Sequence, residues 1–181
     1  MPRKRATAFS ETMATGSVNV SVEDPGWEAV PGSATSIAQR AAEAALSAAR
    51  CSSDVELGVV LTGDATLRQL NSRYRGEDKA TNVLSFALDD VDGPAEAKPL
   101  LGDVYVALET VRREATAQEK SVSDHLSHLV VHGVLHLLGY DHRFDADARR
   151  MESLETGVLH AMGIADPYGG DRRIEGNRRE P

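Results

Sequence analysis

Alternating apolar and polar positions predict strands in the first part of the chain. Between residues 18 and 22 valine alternates with polar residues, and the Asp-Pro-Gly that follows favours a turn. This pattern predicts a short strand at a sheet edge. Three longer apolar runs predict further strands at 55–61, 82–88 and 101–108, the last two separated by an acidic loop rich in Gly and Pro at 89–99.

Apolar residues spaced three and four apart predict helices in the rest of the chain. The predicted helices are 35–50, one from Asp64 to a frayed end near 74–76, 108–119, 121–138 and 145–162. Asp64 and Ser121 stand where N-terminal caps are expected, and Gly139 and Gly163 stand where a left-handed residue ends a helix.

Strands and helices interleave without a repeat or a linker, which predicts one α+β domain. We expect it to span 16–165, with a small mixed sheet of about four strands and about five helices. The segments 1–15 and 166–181 are rich in charged and small residues without periodicity, so we expect two disordered tails.

Composition narrows the class of protein. The 181 residues are 41% apolar, enough for one core, and the net charge of -8 argues against coating nucleic acid by bulk electrostatics. A single cysteine, Cys51, excludes an internal disulfide and a cysteine zinc cage. The sequence shows neither a signal peptide nor an apolar run long enough for a membrane span, so we expect a soluble, cytoplasmic protein.

Three histidines have the spacing of a catalytic metal site. His132 and His136 lie one helical turn apart, and Gly139 lets the chain turn back to bring His142 to the same ion. Three protein ligands leave a fourth position open, where zinc binds a water molecule that titrates near pH 7. The spacing therefore predicts one catalytic Zn²⁺.

Two other histidines lie on the same helical stripe. His128 could replace His142 in a row of three, but ligands spread over three helical turns span roughly 12 Å of rise, which argues against it. We expect His128 to pack beside the ligands and His125 to lie at the surface. Asp141 either orients a ligand histidine or only favours the turn before His142, and both interpretations stay open.

Glycine follows the first histidine ligand, at the position where metalloproteases carry the glutamate that acts as general base. Gly133 therefore argues against peptide hydrolysis, and it indicates close packing or close approach of a substrate. Glu152 and Asp103 are weaker candidates for proton transfer, because helix surface and strand-end capping explain both. The sequence identifies no general base.

Phosphodiester cleavage mainly requires stabilisation of charge on the phosphoryl oxygens. The segment 70–86 offers Arg73, Arg75 and Lys79 near a helix end, and guanidinium groups match phosphate oxygens with two hydrogen bonds. Taken alone, these cations are better explained as an ordinary solvated helix end.

Three segments together resemble one known family. They are His-Gly-Val-Leu-His-Leu-Leu-Gly-Tyr-Asp-His at 132–142, Tyr-Arg-Gly-Glu-Asp-Lys-Ala-Thr-Asn-Val-Leu-Ser-Phe at 74–86 and Leu-Gly-Asp-Val at 101–104. Over about 18–168 the chain resembles the YbeY family of bacterial endoribonucleases. Two departures are Ala80, where the family often has proline, and a segment before Met13 that is longer than usual.

The resemblance implies a function and a set of roles. His132, His136 and His142 would bind a single zinc ion in a zincin-like site on a helix, and Arg75 would act on the RNA phosphate. Arg73 and Lys79 are candidate RNA contacts only through their place in the basic segment. The family matures ribosomal RNA, notably the 3′ end of the 16S RNA, and takes part in ribosome quality control. The expected partners are therefore ribosomal RNA, the small subunit and ribosome-associated proteins, with no DNA and no membrane.

Two other functions are kept as alternatives. A metal-dependent protease or amidase would use the same three histidines, and a ribosome-assembly factor could hold zinc for structure alone. Within the endoribonuclease hypothesis, the nucleophile is either activated water or the ribose 2′-hydroxyl group.

Overall fold

The computed structural model of the protein describes residues 17–51, 55–88, 100–141 and 144–169. The predicted loop at 89–99, His142 and the predicted tail at 1–15 lie outside the described residues. Within them the chain forms four strands, five α-helices and a short 3-10 helix at Pro25–Ala29. The strands are β1 (Ser17–Val22), β2 (Glu56–Thr62), β3 (Val83–Ala87) and β4 (Leu100–Ala107), and the helices are α1 (Ala34–Ala48), α2 (Asp64–Arg75), α3 (Leu108–Ala117), α4 (Val122–Leu137) and α5 (Asp145–Ala161).

The strands form one mixed sheet in the order β1-β2-β4-β3. β1, β2 and β4 run parallel to one another, and β3 pairs antiparallel with β4. The predicted α+β domain with a four-stranded mixed sheet is confirmed, as is the position of β1 at an edge. β3 forms the other edge.

The two faces of the sheet carry different cores. Buried side chains of β2 and β4 pack with α1 and α4, and α4 is buried on most of its surface. On the opposite face Leu67 of α2 packs with Leu84 and Ala107 in a smaller cluster. β3 thus separates two environments, because its alternate residues face opposite sides of the sheet.

One predicted cap is confirmed and one is wrong. The Ser121 hydroxyl oxygen accepts a hydrogen bond from the Asp124 backbone N–H at 2.9 Å, as expected for an N-cap. Asp64 does not cap its own helix, because α2 begins at Asp64 and Gly63 takes the cap position. Its carboxylate instead accepts hydrogen bonds from the backbone N–H and the hydroxyl group of Thr110 in α3.

The C-terminal part of the described chain returns to the body of the protein. Residues 166–169 form a turn that follows α5, and the hydroxyl group of Tyr168 donates a hydrogen bond to Glu155. They are the first four residues of the predicted C-terminal tail, and 170–181 lie outside the described residues. Among the described helices, none is long and apolar enough to cross a bilayer.

Candidate active site

A pocket of about 460 Å³ lies between the edge strand β3 and the end of α4. Three alternate residues of β3 form part of its lining, and the rest comes from α4, from the turn that follows it and from the last residue of α2. The lining residues are Val83, Ser85 and Ala87 of β3, His132, His136 and Leu137 of α4, Gly139, Tyr140 and Asp141 of the turn, and Arg75 of α2. The pocket therefore brings residues of both predicted motifs together.

His132 and His136 direct the same ring nitrogen toward each other. Their Nε2 atoms are 3.1 Å apart. Two imidazole ligands of one tetrahedral zinc, each bonded at about 2.0–2.1 Å, have their nitrogens roughly 3.3 Å apart. The observed spacing suits two ligands of one ion.

Hydrogen bonds at the other ring nitrogens determine the tautomers. Nδ1 of His136 lies 2.9 Å from the backbone carbonyl oxygen of Tyr140, which only accepts, so this Nδ1 carries the proton. Nδ1 of His132 lies 2.6 Å from Oε1 of Glu155 and donates to that carboxylate. In the neutral rings both Nε2 atoms then present lone pairs to each other, and a cation between them removes their repulsion. The donor set fits a bound metal ion.

Glu155 of α5 is a fully buried carboxylate, with 0% of its surface exposed. Besides His132, it accepts a hydrogen bond from the Tyr168 hydroxyl group, and Nε2 of His128 lies 3.8 Å from its Oε2. Burial raises the pKa of the Glu155 carboxyl group, but the interactions with His128, His132 and Tyr168 outweigh burial and lower this pKa to about 2. The group is therefore charged, as a carboxylate that orients a metal-binding imidazole should be.

His128, His132 and Glu155 form a second cluster of donor atoms, all within 4.8 Å of one another. The 2.6 Å between His132 Nδ1 and Glu155 Oε1 is a hydrogen-bond distance, shorter than the roughly 3.3 Å expected for two ligands of one tetrahedral ion. This cluster is better described as the support for His132 than as a separate metal site. Both ring nitrogens of His128 are buried without a hydrogen-bond partner among the described residues.

The turn after α4 positions the carbonyl group that holds His136. Gly139 has φ of 86°, the left-handed conformation predicted for it, and Tyr140 and Asp141 follow along the pocket wall. Since His142 lies outside the described residues, its role as third ligand stays a prediction.

Gly133 packs against the sheet. A β-carbon at this position would lie 2.6 Å from Cγ1 of Val104 and 3.0 Å from the Ser85 hydroxyl oxygen. That hydroxyl group donates a hydrogen bond of 3.0 Å to the Gly133 carbonyl oxygen, which ties α4 to β3. The predicted close packing is confirmed, and a glutamate side chain does not fit here without moving helix and sheet apart.

The cations of the basic segment take different positions. Arg75 lines the pocket with both histidines. The Nζ atom of Lys79 lies 2.8 Å from Oε2 of Glu77, and Arg73 lies over the Tyr74 ring. Neither Lys79 nor Arg73 is among the pocket-lining residues. Of the three predicted phosphate contacts, the structure brings only Arg75 to the pocket.

The match to a family model decides to which family this fold and pocket belong. The model described as Endoribonuclease YbeY matches residues 22–163. The chain belongs to the YbeY family. The resemblance inferred from the three segments is thereby confirmed, and all three lie inside the matched residues.

The sequences of two curated relatives align with this chain over nearly their whole length. The chain is 47% identical to Endoribonuclease YbeY of Parvibaculum lavamentivorans over 176 residues, which cover 93% of this chain and 94% of the relative. It is 51% identical to Endoribonuclease YbeY of Paramagnetospirillum magneticum over 156 residues, covering 84% and 95% of the two chains. A solution structure from Thermotoga maritima has a TM-score of 0.52 at 23% identity and covers 91% of this chain and 97% of that one, which supports the fold alone.

Two features of the site were missed from the sequence. Glu155 and Tyr168 had no assigned role, because a carboxylate at a core-facing helical position and a tyrosine beyond the last helix gave no motif signal. The only available signal was Glu155 itself, a charged residue among the inward positions of α5. A buried charge requires a partner, and here the partners are His132 and Tyr168.

The expectation that His125 lies at the surface was wrong. Only 3% of its surface is exposed, and its Nε2 lies 2.7 Å from Oε2 of Glu114 in α3. Burial lowers the pKa of His125 even though Glu114 acts to raise it. His125 therefore joins α4 to α3, about two turns away from the pocket. Glu152 and Asp103 are not among the pocket-lining residues.

Proposed function

We propose that the protein is a zinc-dependent endoribonuclease that cleaves single-stranded RNA. His132, His136 and His142 hold one Zn²⁺ ion, and Arg75 faces the scissile phosphate. The observation that carries the proposal is the pair of Nε2 atoms at 3.1 Å in the pocket that Arg75 also lines. Both curated relatives bear the name Endoribonuclease YbeY, which supports the same activity.

Each described residue has a distinct part in this mechanism. Glu155 and the Tyr140 carbonyl group hold the two imidazoles in the tautomer that leaves Nε2 available. Zinc, when bound, supplies a Lewis acid and lowers the pKa of a coordinated water molecule. The Arg75 guanidinium group binds phosphate oxygens and stabilises the negative charge that grows on them during the reaction.

The nucleophile is either water or the ribose 2′-hydroxyl group of the RNA. Asp141 is the one carboxylate among the described residues that line the pocket, which supports a role in orienting a ligand imidazole. Gly133 leaves no room for the glutamate base of a metalloprotease, which favours phosphate chemistry over peptide hydrolysis.

We further propose that the substrate is ribosomal RNA, including the 3′ end of the 16S precursor, and that the protein works in the cytoplasm with the small subunit in maturation and quality control. The family resemblance supports this assignment. With a net charge of -8, the protein binds RNA through local groups such as Arg75, and partner proteins or the subunit provide much of the targeting.

The test is cleavage of a 16S precursor RNA by wild type, His136→Ala and Arg75→Ala, each with and without a chelator. We expect chelator and His136→Ala to abolish cleavage, zinc to restore the chelated wild type, and Arg75→Ala to lower the rate by about 10²–10³-fold, as for loss of one charge-stabilising donor. Arg68→Ala is the matched control, because Arg68 pairs with Asp78 and is not among the pocket-lining residues. Cleavage that survives all three perturbations would show that the activity belongs to a contaminant.

Two results would favour the alternatives. Cleavage of peptides or amides with intact RNA would indicate a metal-dependent hydrolase of another class. Full rescue of ribosome maturation in a deletion strain by Arg75→Ala would indicate an assembly factor whose zinc is structural.

A further inference from the structure

Three aromatic rings form a row on the face of β3 that is turned away from the pocket. The ring centroids of Tyr74 and Phe86 are 5.0 Å apart, and those of Phe86 and Tyr105 are 5.7 Å apart. Phe86 alternates along β3 with Ser85 and Ala87, which line the pocket, so the row and the pocket lie on opposite faces of one edge strand. We call these three rings the aromatic row.

Tyr74 is the exposed end of the aromatic row. It has 59% of its surface exposed, whereas Phe86 and Tyr105 are partly buried against the small core cluster. The Arg73 guanidinium carbon lies 5.4 Å from the centroid of the Tyr74 ring. A large exposed aromatic ring beside a guanidinium group has the composition of a platform on which nucleic-acid bases stack.

Charge distinguishes the two ends of the aromatic row. Near Tyr74, Arg68 and Lys79 are already paired with Asp78 and Glu77, while no ion pair joins Arg73 or Arg75 to any described residue. The Tyr105 end is acidic.

Burial raises the pKa of the Tyr105 hydroxyl group, and the Asp103 and Glu23 carboxylates and the Tyr74 hydroxyl group act in the same direction. The guanidinium group that contacts the row lies at Tyr74, whereas Asp103 pairs with Phe86 in the sheet register.

The chain connects this platform directly to the pocket. Tyr74 and Arg75 are consecutive, so their α-carbons are about 3.8 Å apart, yet Arg75 lines the pocket and Tyr74 packs on Phe86 behind β3. Since β3 is an edge strand, no further strand of the described sheet pairs with its outer side. A phosphate held by Arg75 then has a neighbouring base within reach of Tyr74.

We propose that Tyr74 is a stacking site for one unpaired RNA base next to the scissile phosphate, with Arg73 over the ring and Arg75 on the phosphate. The inference rests on the proposed function, which already takes single-stranded RNA, and adds where one base of that strand is held. The cleaved strand must be unpaired on the side that passes β3, because a base in a duplex cannot stack on a protein ring.

Binding of a fluorescein-labelled single-stranded RNA 12-mer to the full chain, measured by anisotropy in chelator so that no cleavage occurs, tests the proposal. We expect Tyr74→Leu, which keeps an apolar contact with Phe86, to weaken binding by about fivefold or more, the lower range for one base–aromatic stack. Tyr74→Phe should bind within about twofold of wild type, since the hydroxyl group is not needed for stacking.

Tyr105→Leu is the matched control, because it removes a tyrosine from the same row at the end away from the cations. It should leave RNA binding unchanged, and unfolding temperatures of all variants check that the small core cluster is intact. If Tyr105→Leu weakens binding as much as Tyr74→Leu, the row acts through stability alone and the proposal is overturned.

Single abasic substitutions along the 12-mer locate the stacked base. One abasic position should weaken binding to wild type as much as Tyr74→Leu does, and at that position the variant should lose nothing further. Wild type that neither binds nor cleaves RNA would reject the proposed function itself. Wild type that cleaves RNA, with Tyr74→Leu binding as tightly, would reject only the stacking site.

Discussion

At the residue scale, the His132 and His136 rings are held by partners of different kinds. A backbone carbonyl group fixes His136, and it stays in place as long as the turn after α4 does. A buried carboxylate fixes His132, and its charge depends on partners from α4 and from the segment after α5. The support of His132 by Glu155 is therefore more easily removed by one substitution than the support of His136 by a backbone carbonyl group.

We predict that Glu155→Gln weakens zinc binding by about 10–100-fold, because the amide cannot polarise the His132 ring as a carboxylate does. Competition with a chromophoric chelator measures this affinity. Glu152→Gln, one turn earlier on α5 and only partly buried, is the control and should bind zinc like wild type. Equal affinities for all three proteins would show that Glu155 serves only the fold.

Substitution by alanine at two helix-interior glycines should change the unfolding free energy in opposite directions. Gly133→Ala places a methyl group 2.6 Å from Cγ1 of the buried Val104, and we expect overpacking to outweigh the better helix propensity and cost about 1–2 kcal/mol of unfolding free energy. Gly157 has open space around it, so Gly157→Ala should stabilise by about 0.5–1 kcal/mol. Urea denaturation measures both, and a stabilised Gly133→Ala protein would contradict the packing argument.

The sequence predicted that the His132 and His136 rings lie together, but not which groups hold them. His132, His136 and Gly133 stand in a motif whose spacing is local, and one helical turn suffices to bring the two rings together. Glu155 is 23 residues from His132 along the chain, and only the packing of α5 on α4 brings them within 2.6 Å. A local pattern carries no information about such a contact.

At the element scale, α2 and α3 cap each other. Asp64 of α2 accepts hydrogen bonds from the backbone N–H of Thr110 at 3.0 Å and from its hydroxyl group at 2.7 Å. Glu109 of α3 accepts one from the backbone N–H of Asp64 at 2.8 Å. The two helices follow β2 and β4, which are parallel neighbours in the sheet, so their first turns meet at the carboxyl end of these strands.

We predict that Asp64→Ala lowers the unfolding free energy by about 1 kcal/mol, the usual effect of losing a cap. Glu109→Ala should cost less, because its bond is exposed. Asp145→Ala, in the exposed first turn of α5, is the control and should stay within about 0.5 kcal/mol of wild type. Denaturant titrations of the three variants test this, and equal effects at 64 and 145 would reject mutual capping.

Element boundaries were predicted closely from the sequence. The four strands and five helices agree with the apolar patterns to within two residues, because the side-chain period is set by local geometry. The Asp64 cap was assigned to the wrong helix because an aspartate at a helix start has the same sequence signature whichever helix it caps. The sheet order decides which neighbouring helix donates hydrogen bonds to the Asp64 carboxylate.

At the scale of the whole molecule, the proposed metal site joins elements distant in sequence. His132 and His136 belong to α4, Glu155 belongs to α5 and Arg75 ends α2. An ion bound by the folded protein alone stabilises it by RT ln(1 + [L]/Kd), about 4 kcal/mol at a thousandfold excess over Kd.

We therefore predict that chelation lowers the unfolding temperature by on the order of 10 °C and that added zinc restores it. His136→Ala should show no zinc-dependent shift, whereas His160→Ala, at an exposed position of α5, should respond like wild type. Differential scanning fluorimetry measures these shifts. An equal zinc response in His136→Ala would place the ion elsewhere.

The sequence by itself determined the strands and helices, the α+β class, the pair of histidines one turn apart and the family, because periodicity and motif spacing are local properties of the chain. Only the tertiary structure decided that Arg75 shares a pocket with these histidines while Arg73 and Lys79 do not, that Glu155 and Tyr168 support His132, and that Tyr74 stands exposed behind β3. These relations depend on the order of strands in the sheet and on the packing of α5 against α4. Contacts between residues far apart in the chain are fixed by the burial of the whole core, which no single segment specifies.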